Sequence, residues 1–305
     1  MKKVFVLLGP TASGKTSLSL SLADKLNAEI ISADSRQVYK HIQIATCAPM
    51  KEELGKTKHY FVNELELDVE FNAGTFANKS KDIIEDIFKR GKSVLVVGGS
   101  GLYIKSLIDG FFDEEIKDIN IRAKLNGRLQ SEGRDALYSE LMSVDPETAV
   151  KMDSGKFRRV IRALEVYYAT GKKMSELQEN NIKPDFESVQ VGLTFERDVL
   201  YSRINERVVG LIANGLIDEI ISLREKGYSP ITHNSLNTVG VKEVFRYLNN
   251  EISLDEMTES IKQNTRNYAK RQMTWFNADK RIQWVKVSDF ADIESCSNHI
   301  SSLYK

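Results

Sequence analysis

Apolar residues run unbroken from Val4 to Leu8, and beyond the next turn they recur every fourth position at Leu18, Leu22 and Leu26. The first pattern predicts a buried strand and the second an amphipathic helix. The alternation continues down the chain. Glu29 to Ala33 predicts a second strand, and His59 to Val62 a further one. Phe71 to Arg90 predicts a helix with Ile83, Ile84, Ile87 and Phe88 as its apolar stripe, stopped at Arg90-Gly91-Lys92. Ser93 to Val97 is a fully apolar strand. At Phe111-Phe112 the alternation breaks off, and residues 113–185 carry only helical patterns. Among them, Phe157, Val160, Ile161 and Leu164 stand at i, i+3, i+4 and i+7. Val189 to Phe195 restores a strand. Leu200 to Ile221 and Ser253 to Phe276 predict helices, and Ile282 to Val287 a last strand. Alternating strands and helices predict an α/β fold, and an all-helical block inside such a chain predicts an insertion domain. The expected division is a core of residues 1–112 and 186–305, with a helical insertion of residues 113–185 and a helical C-terminal part.

The turn between the first strand and the first helix reads Gly9-Pro10-Thr11-Ala12-Ser13-Gly14-Lys15-Thr16. The spacing G-x-x-x-x-G-K-[ST] in that context is a phosphate cradle. Its glycines let backbone N–H groups and the helix N-terminus face an anion. Lys15 can reach a terminal phosphate, and Thr16 offers a hydroxyl to Mg²⁺. The core is therefore expected to be a P-loop NTPase-like parallel sheet that handles a di- or triphosphate. Asp34 follows the second strand in the stretch Asp34-Ser35-Arg36-Gln37. Ligands of doubly wound sheets sit at the carboxyl ends of the strands, which would put Asp34 beside the loop. Spacing alone leaves it either a catalytic carboxylate or a helix N-cap. Gly98-Gly99-Ser100-Gly101 forms a second glycine-rich turn whose backbone could approach a ligand. No acid ends the strand before it, so the usual second Mg²⁺ ligand of an ATPase is missing.

Charge narrows the partners. Of 305 residues 28% are charged, with Lys+Arg and Asp+Glu at 43 each, so no global positive field exists and a nucleic acid would need local basic clusters. Two are found. Lys156 to Lys173 holds six basic residues against Glu165 alone, with Arg158, Arg159 and Arg162 away from the apolar helix face. Lys262 to Arg281 holds six against Asp279 alone, with Lys262, Arg266 and Lys270 forming a stripe. Basic helix faces are ordinarily just solvated, but two such surfaces on a neutral chain suit a phosphate backbone. Cys47 and Cys296 lack metal-ligand spacing, and the five apolar residues near the N-terminus are too short for a leader or a span. The expected address is the cytoplasm, without a membrane.

Taken together, GPTASGKT at Gly9, DSRQVY at Asp34, VGGSGLY at Val97, FRRVIRALEVY at Phe157, VGVKE at Val239 and YAKRQMTWF at Tyr268 resemble the tRNA dimethylallyltransferases along nearly the whole chain. The resemblance implies transfer of a dimethylallyl group from dimethylallyl diphosphate to N6 of the adenosine 3′ to the anticodon, releasing diphosphate with no ATP hydrolysed. It implies a monomer that uses Mg²⁺ and binds the tRNA anticodon stem-loop. It makes Asp34 the base and Thr11 a donor near the bridging oxygen, with Arg207 (before Arg203) as the charge-neutralising arginine. Gly9 through Thr16 would hold the diphosphate, with Thr16 on the metal. The tRNA would meet Asp34, Ser35, Arg36, Gln37, Ser100, Arg122, Arg158, Arg159, Arg162, Lys242, Lys262 and Arg266. The chain departs from the family pattern at Ser100, usually Thr, at Val241, usually aromatic, and at Ala48, often Lys. A prenyltransferase of free adenine nucleotides, a small-molecule kinase and a non-enzymatic RNA-binding module are the competing readings.

Overall fold

The computed structural model describes residues 2–110, 116–152, 154–179 and 183–304. Six strands form one sheet: β1 (Lys3–Leu8), β2 (Ala28–Ser32), β3 (His59–Tyr60), β4 (Ser93–Gly98), β5 (Glu187–Thr194) and β6 (Gln283–Lys286). Their order is β3-β2-β4-β1-β5-β6, and every neighbouring pair is parallel. The central strands β1 and β4 are apolar at nearly every position because both faces of the sheet are covered. Val4, Val6 and Leu8 pack with Ile31, Val94 and Val96 on one face. Phe5 and Leu7 pack with Ile30, Leu95, Val191 and Leu193 on the other. Leu8 pairs with both Gly98 and Gly192, and Ser32 pairs with Val97. The carboxyl ends of β1, β2, β4 and β5 therefore come level, and the loops that follow them share one edge.

The chain divides into two compact units, Met1–Ile108 with Asp185–Lys305, and Asp109–Pro184. The boundary read from sequence at Phe112 and Asp113 lies outside the described residues. Among its described residues the second unit is helical and has its own core, in which Leu125, Leu137 and Leu141 meet Val160, Ile161 and Leu164.

Local chemistry sets the helix ends. Asn72 caps Ala73–Lys89 by accepting from the N–H groups of Gly74 and Thr75. Ser253 and Glu256 form a capping box at the start of Leu254–Asn277. Two expectations are corrected. The helix read over Leu200–Ile221 is two helices, Arg197–Ala213 and Leu216–Glu225, separated where Gly215 takes a φ of 94°. The third strand is only His59–Tyr60, because Phe61 and Asn63 adopt φ of 62° and 54° and curl the chain out of the sheet. No helix among the described residues is long and apolar enough to cross a membrane.

Candidate active site

From Leu8 the chain turns through Gly9 to Gly14 into the helix Lys15–Leu26. Gly14 precedes the helix with φ 80°, and no side chain caps it. The first N–H groups therefore remain available to an anion, with the positive end of the helix dipole behind them. Lys15 Nζ donates to the carbonyl oxygens of Gly9 at 2.9 Å and Pro10 at 2.7 Å, and lies 3.4 Å from Ser13 Oγ. Burial lowers its pKa to about 7. Nearby Arg207 pushes the same way, against a raising pull from Asp34. This lysine has the electrostatic freedom to lose its proton near neutrality.

Arg203 and Arg207, on the helix that follows β5, divide the loop between them. Arg203 Nε donates to the carbonyl of Ala12 at 2.9 Å, while its guanidinium lies 5.1 Å from the Phe195 ring. It anchors loop backbone. Arg207, one turn later, places Nη1 3.4 Å from Thr11 Oγ and so faces a side chain of the cradle. Asp34 Oδ1 accepts from the N–H groups of Arg36 at 2.8 Å and Gln37 at 3.3 Å. It therefore caps a turn over residues 35–38 rather than a helix, and its charge is felt at Lys15. The helix N-cap offered by the sequence is therefore corrected to a turn cap.

The neighbouring motif residues are mostly held within the protein. Ser100 Oγ accepts from the Ser35 N–H at 3.0 Å. The Arg36 guanidinium donates to the carbonyls of Asn234, Ser235 and Asn237. Gln37 Nε2 donates to the carbonyls of Thr46 and Cys47, and its Oε1 accepts from Ser32 Oγ. Glu219 accepts from the N–H groups of Ile44 and Ala45 at 2.8 and 2.9 Å, which pins the same 43–48 loop, and burial raises its pKa. Cys47, with φ 49°, turns its thiol toward Arg207, and burial pushes that thiol up.

The glycines at 98, 99 and 101 are closely packed from within the protein. A Cβ at Gly98 would strike the Ala33 backbone, one at Gly99 the Gln272 side chain, and one at Gly101 the Trp275 ring. Gln272 was missed by sequence reasoning. It is 6% exposed, accepts from the Thr11 N–H at 2.9 Å and donates to the Gly99 carbonyl at 2.9 Å. A signal existed: it occupies the buried stripe of Leu254–Asn277 with Ala269 and Phe276, an unlikely place for an unpartnered amide.

The basic candidates separate in the same way. Lys242, Arg158 and Arg159 are exposed, with Arg158 lying 5.9 Å from the Phe157 ring. Lys262 pairs with Glu259 at 2.7 Å, and Arg266 donates to Asn205 Oδ1 at 2.6 Å. In the second unit Arg122 and Arg162 both hold Glu165, at 2.7 and 2.9 Å, and Arg162 also bonds the Ile116 carbonyl. Glu165 is 0% exposed. Burial alone would raise it, but the two arginines outweigh that and hold the carboxyl below its usual range.

Among the described residues no group of three or more His, Cys, Asp or Glu could hold a metal. Thr16 offers one hydroxyl in the first turn of its helix. That donor set fits Mg²⁺ carried on phosphate oxygens and water, the ordinary way this ion is bound, and does not fit an all-protein cage.

The chain matches the family model "IPP transferase" over residues 37–279. It is 41% identical over 303 residues to the tRNA dimethylallyltransferase of a Thermoanaerobacter species, covering 98% of this chain and 96% of that protein. It is 43% identical over 281 residues to that of Salinibacter ruber, covering 92% and 87%. Among solved structures, the full-length tRNA isopentenylpyrophosphate transferase of Bacillus halodurans is similar at 35% identity with a TM-score of 0.74, covering 100% and 97%. A eukaryotic dimethylallyltransferase described as acting on tRNA is similar at 30% identity with a TM-score of 0.82, covering 98% and 78%.

Proposed function

The chain belongs to the IPP transferase family, and from that premise we propose that it transfers the dimethylallyl group of dimethylallyl diphosphate to N6 of the adenosine 3′ to the tRNA anticodon. It is a prenyl-transferring enzyme that acts on tRNA. The finer assignment rests on one observation: Lys15, Thr11 and Arg207 stand together at the cradle, and the charge of Asp34 is felt there.

In this reading the diphosphate lies on the loop from Gly9 to Thr16, against uncapped helix N–H groups. The bond between the allylic carbon and the bridging oxygen breaks, and the departing charge is met by Lys15, Arg207 and the Thr11 hydroxyl. Magnesium on the diphosphate, with Thr16 as its protein ligand, would supply further neutralisation. The adenine N6 forms the new bond to carbon. An exocyclic amine is a weak nucleophile, and its proton passes to the Asp34 carboxylate as that bond forms. The adenosine is swung out of the anticodon loop to reach the site. Single-stranded loops are where RNA sequence is read, so exposed arginines such as Arg158 and Arg159 would grip the flanking backbone. The enzyme is proposed to act as a cytoplasmic monomer.

The test is nucleoside mass spectrometry after incubation with dimethylallyl diphosphate, Mg²⁺ and unmodified tRNA. A dimethylallyl gain on one anticodon-loop adenosine is expected, and an unmodified tRNA overturns the reading. Asp34→Asn tests the base in the same assay. Asparagine keeps the turn-capping oxygen and loses proton acceptance, so kcat should fall by about 10² or more while the melting temperature holds. A near-normal kcat would leave Asp34 a cap.

A further inference from the structure

Gln272 reaches the site from a helix distant in sequence and makes two hydrogen bonds of opposite sense. Its Oε1 accepts from the Thr11 N–H, and its Nε2 donates to the Gly99 carbonyl, both at 2.9 Å. An N–H can only donate and a carbonyl can only accept, so the amide has a single orientation. Gln272 is 6% exposed, and its bond to the Gly99 carbonyl is buried.

What the amide joins gives it significance. On one side is Thr11, whose hydroxyl lies 3.4 Å from Arg207 on the donor-holding loop. On the other is Gly99, next to Ser100, whose hydroxyl holds the Ser35 N–H beside Asp34. The path Thr11–Gln272–Gly99–Ser100–Ser35–Asp34 therefore links the loop that receives the leaving group to the carboxylate that receives the proton. Gly99 has no Cβ because Gln272 occupies that space. The site is built around this side chain.

We propose that Gln272 is a positioning residue that sets the distance and angle between the diphosphate-holding loop and the Asp34 side of the site, so that the allylic carbon faces the incoming amine rather than water. The proposal rests on the prenyl-transfer reading above. Misalignment by about an ångström is costly when reactants must meet in line. When the amine is out of line, the same carbon–oxygen bond breaks and water supplies the new bond to carbon. The products are then dimethylallyl alcohol and diphosphate, with the water proton released.

The test compares wild type, Gln272→Met and Gln272→Glu for kcat, for KM of donor and tRNA, and for diphosphate released per adenosine prenylated. Gln272→Met removes both bonds. It should lower kcat by about ten- to a hundredfold with the tRNA KM within about twofold of wild type, and raise the diphosphate-to-prenyl ratio above one. Gln272→Glu keeps the acceptor for Thr11 but sets a carboxylate against the Gly99 carbonyl. Its activity relative to wild type should climb as pH falls and the carboxyl becomes a donor. This pH signature keeps the test decisive if the methionine variant fails to fold. Wild-type kcat and a one-to-one ratio in a folded Gln272→Met, or a flat pH profile for Gln272→Glu relative to wild type, overturns the proposal. A wild-type enzyme that prenylates no tRNA overturns instead the reading on which it rests.

Discussion

At the scale of single residues, the site is governed by the charges gathered at the loop after β1. Lys15 is the clearest case. Folded back on the carbonyls of Gly9 and Pro10, it has a pKa of about 7. A diphosphate replaces those neutral acceptors with an anion, which favours the charged lysine and returns its pKa toward the ordinary 10.5. The sign follows. Below about 7 the ammonium is present before and after binding, and the contribution of Lys15 to affinity is maximal. Above it, binding must take up a proton, and affinity falls with rising pH. Calorimetry with inorganic diphosphate at pH 8, in buffers of different ionisation enthalpy, should show more proton uptake for wild type than for Lys15→Met. Equal uptake in the two would mean that Lys15 is already charged in the free loop.

At the scale of elements, the parts legible in the sequence were those decided by local pattern. β1, β2 and β4 are apolar runs because both sheet faces are buried, and the loop after β1 is a contiguous motif. What was not legible depends on contacts across the sequence. The break at Gly215 is hidden because the apolar phase of Leu200–Ile221 runs through it. Gln272 lies 261 residues from Thr11 and 173 from Gly99, the two groups it joins. Arg122 and Arg162 look free until the fold brings Glu165 between them. A similar long-range device holds the opposite edge of the sheet. Glu29, 2% exposed at the start of β2, accepts from Arg90 Nη2 at 2.7 Å, Lys92 Nζ at 3.0 Å and the Tyr60 hydroxyl at 2.8 Å. Hydrogen bonds led by Arg90 hold its pKa near 2 against the opposing effect of burial. A depressed acid stabilises the fold above its unfolded pKa and loses that contribution as pH falls. With 1.36 kcal/mol per pKa unit, the gap from 4.5 to about 2 corresponds to roughly 3 kcal/mol. Glu29→Gln should therefore unfold at lower denaturant than wild type at pH 7. The difference should shrink between pH 4.5 and 2, and a pH-independent difference would mean that packing rather than charge is lost.

At the scale of the whole molecule, a chain with 43 basic and 43 acidic residues has no net field to draw in a polyanion. Its grip on tRNA must come from a few well-placed cations, and which ones matter depends on what each already holds. In the second unit the four arginines expected to meet tRNA fall into two pairs. Arg122 and Arg162 hold the buried Glu165, while Arg158 and Arg159 are exposed on the Phe157–Thr170 helix. A cation that contacts a phosphate releases condensed counterions, so log K falls with log salt by about 0.9 per duplex contact and 0.7 per single-stranded contact. A cation engaged with a buried carboxylate contributes to stability instead, because removing it strands a charge in the interior. Arg158→Ala and Arg159→Ala should each weaken tRNA binding and flatten the salt slope by something near those values, with little change in melting temperature. Arg122→Ala and Arg162→Ala should do the reverse, lowering the melting temperature with the salt slope close to wild type. Fluorescence titrations of tRNA at several salt concentrations, paired with thermal melts of the same four variants, measure both quantities. If Arg122 or Arg162 flattens the slope as much as Arg158 does, Glu165 is a support that presents those arginines to RNA. If Arg158 and Arg159 leave the slope untouched, they are only a solvated face.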